Sequence, residues 1–184
     1  MEKPTVFDLV AKAAAETGAR LILIGGFAVN EYGYARNTQD VDFLATDEDY
    51  QKLAGVLSAS GYEESAKTKV FAKQTVKGMD GLPADFLFVD PETFDRMWRD
   101  GRDVTVSGHR FRICSLLHLI ALKLHAIKQG SKDRAWKDIP DILNLIRANG
   151  MDAGSPDLKS VCQKFGPEGI YHEILKLSKA GQHG

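Results

Sequence analysis

Three aspartates carry the chemistry this sequence offers: Asp40 and Asp42 in "TQDVDFLA", and Asp85 in "ADFLFVD". Asp40 and Asp42 flank a single valine inside an apolar run. On an extended strand, residues i and i+2 project from the same face, so both carboxylates share one face while Val41 and Phe43 enter the core from the other. Two carboxylates a few ångströms apart repel, and the pair is unfavourable unless a cation sits between them. A divalent ion, which takes hard oxygen ligands, makes the arrangement favourable. Asp85 lies in another apolar, strand-like run. If that strand neighbours the first, three carboxylates converge, the geometry that two Mg²⁺ ions need to hold a triphosphate and activate an attacking oxygen.

Upstream, the apolar run "LILI" stops at Gly25-Gly26, and thirteen residues separate Gly26 from Asp40. A strand that ends at two glycines and passes into a helix bares backbone N–H groups, which bind phosphate, and glycine admits a phosphate where a Cβ would block it. Each feature alone also has a plain structural reading. A diglycine is often only a tight turn, an Asp-x-Asp at a strand end is often solvated, and an acid such as Asp85 often sits at a sheet edge. The order and spacing of all three weaken that reading.

The elements that must position these residues can be read from periodicity. Thr5–Glu16 has helical spacing, with Val6, Leu9, Val10 and Ala13 on one face and Gly18 as a stop. Strands are expected at 20–24, 40–45, 69–76 and 84–90, with a short helix at 27–34 and a turn in "MDGLP". Thr46 is placed as the N-cap of a helix that ends near Gly61. Asp103–Ser115 reads as a hairpin turning through Ser107-Gly108. From Ser115 the pattern is helical: 116–129, 133–148, 157–165 and 167–180. The expectation is an α+β fold, with a mixed-sheet core over residues 1–114 and a C-terminal helical region over 115–184 packed on it.

The 184 residues, 43% hydrophobic and with a formal net charge of −1, suit a compact globular chain and argue against a general affinity for nucleic acid or membranes. No apolar run approaches the ~20 residues of a membrane span. The N-terminus reads as an amphipathic helix and not a signal peptide, so a cytoplasmic protein is expected. Cys114 and Cys162 have no metal-ligand spacing and read as buried thiols. His118 and His125 read as packing or surface residues, since no third ligand has matching spacing.

With these residues in hand, the sequence resembles the nucleotidyltransferase superfamily of the DNA polymerase β type. Ile24-Gly25-Gly26, a gap, Asp40-Val41-Asp42-Phe43 and the later Asp85 match its order of motifs. "GGFAVNEYGYARNTQDVDF" is similar, more narrowly, to the branch of AbiEii toxin-like and minimal nucleotidyltransferases, through Gly26, Ala28, Gly33, Arg36, Thr38, Asp40 and Asp42. "LIALKLHAIKQGSKDRAWKDIPDILNL" fits the same branch through Lys123, Lys137, Asp138 and Asp141. The resemblance covers about residues 21–145.

It implies transfer of an NMP from a Mg-NTP, ATP by default, to a hydroxyl with release of pyrophosphate. Asp40, Asp42 and Asp85 would be the catalytic and metal-binding residues, with two Mg²⁺ ions. Gly25, Gly26, Arg36, Thr38, Lys123 and Lys137 would bind nucleotide. Several of these have a second reading that stays open. Arg36 and Thr38 contact phosphate, or Thr38 simply bonds its turn. Lys123 reaches the triphosphate or snorkels from a core stripe. Lys137, Asp138 and Asp141 buttress the site or form a cap and a surface pair. The acceptor is a small molecule, a protein or tRNA. The alternative is a degenerate, non-catalytic member acting through a protein partner, as in a toxin–antitoxin pair, or through a second copy of itself.

Overall fold

The structure, a computed structural model, describes residues 4–76, 81–130 and 132–180. They form a seven-stranded mixed sheet and eight helices, in the order α1 (Val6–Thr17), β1 (Ile22–Ile24), α2 (Gly25–Glu31), β2 (Val41–Ala45), α3 (Asp47–Ala59), β3 (Tyr62–Lys67), β4 (Phe71–Val76), β5 (Ala84–Phe88), α4 (Pro91–Asp100), β6 (Arg102–Val106), β7 (His109–Ile113), α5 (Leu116–Gln129), α6 (Lys132–Ala148), α7 (Pro156–Phe165) and α8 (Ile170–Ala180). The α+β expectation holds. The chain divides into two compact units, Met1–Ala28 with Asn37–Ser115, and Val29–Arg36 with Leu116–Gly184.

The first unit holds the sheet, in the order β3-β4-β5-β2-β1-β7-β6. β2 lies between β1, its antiparallel neighbour, and β5, its parallel neighbour. Burial alternates along β5, where Ala84, Phe86 and Phe88 are buried and Asp85 and Leu87 half-buried, and on β2 every residue but Asp42 is buried. Val41 and Phe43 are fully buried, as their alternation with the aspartates predicts. Phe43 stacks on Phe86 at 5.5 Å between centroids, and Tyr50 of α3 packs on Phe86 at 5.0 Å. The cluster continues through Phe111, 5.9 Å from Phe43, to Phe7, which meets Phe27 and Phe111 edge-on. α1 packs against α3 and β7.

Caps set the helix boundaries. Thr5 closes a capping box with Asp8, and Thr46 accepts from the Asp49 backbone as the N-cap of α3. The hairpin turns where expected, with Ser107 and Gly108 both at positive φ (50° and 79°), the signature of a two-residue primed turn. Two elements were not expected. β3 buries only Tyr62 and shows no alternation, and α4 buries only Phe94 and Met97, although Asp90 as N-cap and Pro91 at the first turn mark its start. Met79 and Asp80 of the expected turn lie outside the described residues.

The second unit is helical. α5 packs against α6 and α7, and α8 against α6 and α7. Its core contains Leu119, Ile120, Leu124, Ile142, Leu145, Leu158, Cys162 and Ile174, all 0–1% exposed. Residues 29–31 complete α2, and the loop that follows is closed back on it by Asn30, which donates to the Arg36 carbonyl and accepts from the Arg36 backbone N–H. Among the described residues, no helix is long and apolar enough to cross a membrane.

Candidate active site

The site is built on β2 and β5. These strands pair in parallel with Asp42 directly opposite Asp85, so the two side chains leave the same face of the sheet. Asp40 sits at the entrance to β2. Carboxylate oxygens of Asp40, Asp42 and Asp85 lie within 4.8 Å of one another, and all three side chains are half-buried. The convergence expected from two separate strand segments is therefore present.

Two neighbours fix the cluster. Thr38 Oγ1 donates to Asp40 Oδ1 at 3.0 Å and lies 3.1 Å from the Asp40 carbonyl, so Thr38 orients the first carboxylate. Gly25 follows Ile24, whose register partner is Asp42, and adopts φ +62°. A Cβ at Gly25 would overlap Asp42's carboxylate and stand 2.7 Å from its Cβ. Glycine is required twice here, for the left-handed backbone and for the close approach of the peptide to an acidic side chain. Gly26 is buried in the first turn of α2.

A third neighbour was missed by the sequence reading. Lys73 on β4 stands opposite Asp85 in the antiparallel β4–β5 register, and its Nζ lies 3.2 Å from Asp85 Oδ1 and 3.4 Å from Oδ2. The signal was only the lysine's place in an alternating strand. Its partner depends on long-range strand order.

The donor set suits a hard divalent cation. Three carboxylates supply oxygen ligands only, the preference of Mg²⁺ or Mn²⁺ and not of a soft metal. Their mutual repulsion gives a cation a reason to bind.

In the helical unit, Lys123 is 7% exposed and its ammonium lies 3.1 Å from Asp138 Oδ1 and 2.5 Å from Asp141 Oδ2. Arg36 Nε approaches the same Asp141 oxygen at 3.2 Å. The residues expected to contact nucleotide here thus form a buried cluster of two cations and two anions. Lys137 is exposed on α6. The fully buried Cys114 has its thiol pushed up to about 12, and burial raises Cys162 to about 11, so both are inert thiols and not nucleophiles.

No protein-family model matches the chain, and no curated protein matches it either. Solved structures do. An antigenic nucleotidyltransferase-like protein from Paracoccidioides brasiliensis aligns over 93% of this chain and 90% of its own, at 17% identity and a TM-score of 0.52. The antibiotic-resistance factor ANT(2'')-Ia aligns over 95% and 94%, at 13% identity and a TM-score of 0.59. The lincosamide antibiotic adenylyltransferase LnuA, solved with lincomycin bound, aligns over 73% and 90%, at 16% identity and a TM-score of 0.52. The chain has the nucleotidyltransferase fold.

Proposed function

We propose that the protein is a Mg²⁺-dependent nucleotidyltransferase that moves an NMP from an NTP, ATP by default, to a hydroxyl group. The observation that carries this reading is the convergence of Asp40, Asp42 and Asp85 within 4.8 Å on paired strands, directly behind the Gly25 turn. Asp40 and Asp42 would hold a Mg²⁺ shared with the phosphates, and Asp85 a second ion or the acceptor's proton. Bound there, the metal would neutralise charge developing on the transferred phosphoryl group.

The chain's own residues do the rest. Thr38 keeps the Asp40 carboxylate turned into the cluster. The Gly25 and Gly26 amides receive the β- and γ-phosphates, where a side chain on Gly25 would collide with Asp42. The acceptor oxygen attacks the α-phosphorus, its proton passes to Asp85 or, where Asp85 holds the second ion, to solvent, the bond to the bridging oxygen breaks, and pyrophosphate leaves. Positioning and electrostatics supply most of the acceleration. Lys137 is the exposed candidate for a nucleotide contact in the helical unit. Lys123 and Arg36 serve Asp138 and Asp141, and their part in the proposal is to hold that unit's cluster together.

A small hydroxyl-bearing molecule is the favoured acceptor class. Two of the proteins with this fold are an antibiotic-resistance factor and an antibiotic adenylyltransferase, and the near-neutral charge of this chain offers no general attraction for a polynucleotide. Membership of the AbiEii toxin-like branch, with a protein acceptor or partner, is the second reading; it rests on the Arg36-x-Thr38 and Lys137-Asp138-x-x-Asp141 spacings.

The test is calorimetric titration of the purified protein with each of the four NTPs, with and without Mg²⁺, repeated on D40N/D42N. Mg²⁺-dependent binding that disappears in the double variant is the expected result and names the base. Absence of binding to every NTP would overturn the enzymatic reading in favour of a protein that works through a partner.

A further inference from the structure

Lys73 is a basic side chain that the structure places on Asp85, and its position follows from the sheet. β4 pairs antiparallel with β5, and the register sets Lys73 against Asp85, so both project from the same face at adjacent strand positions. The ammonium is nearly equidistant from the two Asp85 oxygens, at 3.2 and 3.4 Å. Asp85 is only 17% exposed, whereas Lys73 keeps 36% of its side-chain surface. The lysine is therefore the more exposed member of the pair.

We propose that Lys73 is a resident counter-ion at the Asp85 corner of the cluster. The nucleotide-free protein then takes up a single divalent cation, at Asp40 and Asp42, and a second ion enters only with the nucleotide. The inference rests on the metal-binding reading above. A divalent ion ligated by Asp85 at about 2.1 Å would stand within a few ångströms of the Lys73 ammonium. Like charges about 4 Å apart repel by several kcal/mol at the effective dielectric of a protein surface, and a divalent ion doubles that. The triphosphate reverses the balance. It adds negative charge, and the exposed four-carbon stem of Lys73 gives the ammonium a path away from Asp85. The plainer alternative is a surface ion pair with no effect on metal uptake.

Electron paramagnetic resonance titration with Mn²⁺, on the nucleotide-free full chain, separates these. The samples are wild type, K73Q, K73T, K73R and D42N, each checked by thermal melting; threonine supplies a strand-compatible second neutral variant. The expected result is one Mn²⁺ per chain for wild type and K73R. K73Q and K73T should take a second ion, with affinity for it raised about tenfold or more, as removal of an adjacent positive charge implies. If the neutral variants titrate like wild type while D42N loses Mn²⁺, the counter-ion role is overturned and the metal site stands. If D42N binds Mn²⁺ as wild type does, or no sample binds it, the metal reading falls and this proposal falls with it.

Discussion

Replacing Gly25 by alanine tests the central geometry, and Gly18 supplies its control. Both glycines belong to the sheet-bearing unit and both have positive φ, +62° and +69°. A Cβ on Gly18 meets nothing within 4 Å, whereas one on Gly25 meets Asp42's side chain. The two substitutions share a left-handed backbone cost of about 1–2 kcal/mol for a residue with a Cβ. They also share an offset of about 0.4–1 kcal/mol, because alanine restricts the unfolded chain. G25A alone must push Asp42 aside: turning its carboxylate away costs about 0.5–1.5 kcal/mol, and the Cβ–Cβ approach of 2.7 Å also forces the strand backbone to shift. G18A should therefore cost about 1 kcal/mol or less and G25A at least about 2 kcal/mol. For a chain of this length the latter lowers Tm by at least about 4–8 °C. Thermal melts followed by circular dichroism measure the difference, and Mn²⁺ titration reads the displaced carboxylate. G25A should melt below G18A and bind Mn²⁺ more weakly than either G18A or wild type. Equal melting points and unchanged Mn²⁺ binding would refute the claim that Gly25 is there to let Asp42 in.

Three further outcomes are expected. K123M removes the ammonium between Asp138 and Asp141 and leaves buried carboxylates short of a cation; denaturant titration should show a loss of about 3–5 kcal/mol, and a loss under 1 kcal/mol would contradict the cluster's structural role. The His109 hydrogen bond, and then Thr5, hold the Asp8 carboxyl down at about 2. A depressed carboxylate stabilises above its ordinary pKa and loses that contribution as pH falls through the depressed value, so the Tm gap between wild type and D8N should be constant at pH 5–6 and close between pH 4 and 2. Native protein should leave both buried cysteines unreacted with a disulfide reagent at pH 8 for as long as the fold persists, with two thiols appearing in denaturant; rapid reaction of the native chain would contradict their burial.

The carboxylate cluster was legible because its signals are local. An Asp-x-Asp in an apolar strand states its own face, and Gly25-Gly26 marks the end of the preceding strand. The only non-local step was the adjacency of β2 and β5. Lys73 was illegible for the opposite reason. Its chemistry depends on which strand lies beside β5, and nothing within "KVFAKQTV" encodes that. The same holds for Lys123, whose place in an apolar helical stripe marked it as unusual without naming its partners, which lie on α6. β3 escaped because it is an edge strand with a single buried residue, so the two-residue period that betrays a half-buried strand is missing. α4 escaped because two buried side chains make too narrow a stripe, although its cap and proline were in plain view.

The route of the chain through the two units has a consequence for biosynthesis. Residues 29–36 are made early but belong with the helices from Leu116 onward. Arg36 meets its partner Asp141 only after about a hundred further residues have been added, a wait of roughly 5–20 s at ordinary elongation rates. The sheet-bearing unit, by contrast, has all its strands once Ile113 has emerged. During that interval a nascent chain would carry a finished sheet interrupted by an eight-residue excursion whose own unit does not yet exist. A stop codon shortly after Ser115 would leave that excursion stranded permanently, so clean separation of the two units calls for re-routing the chain, by circular permutation or by replacing 29–36 with a short linker, and not for a single cut.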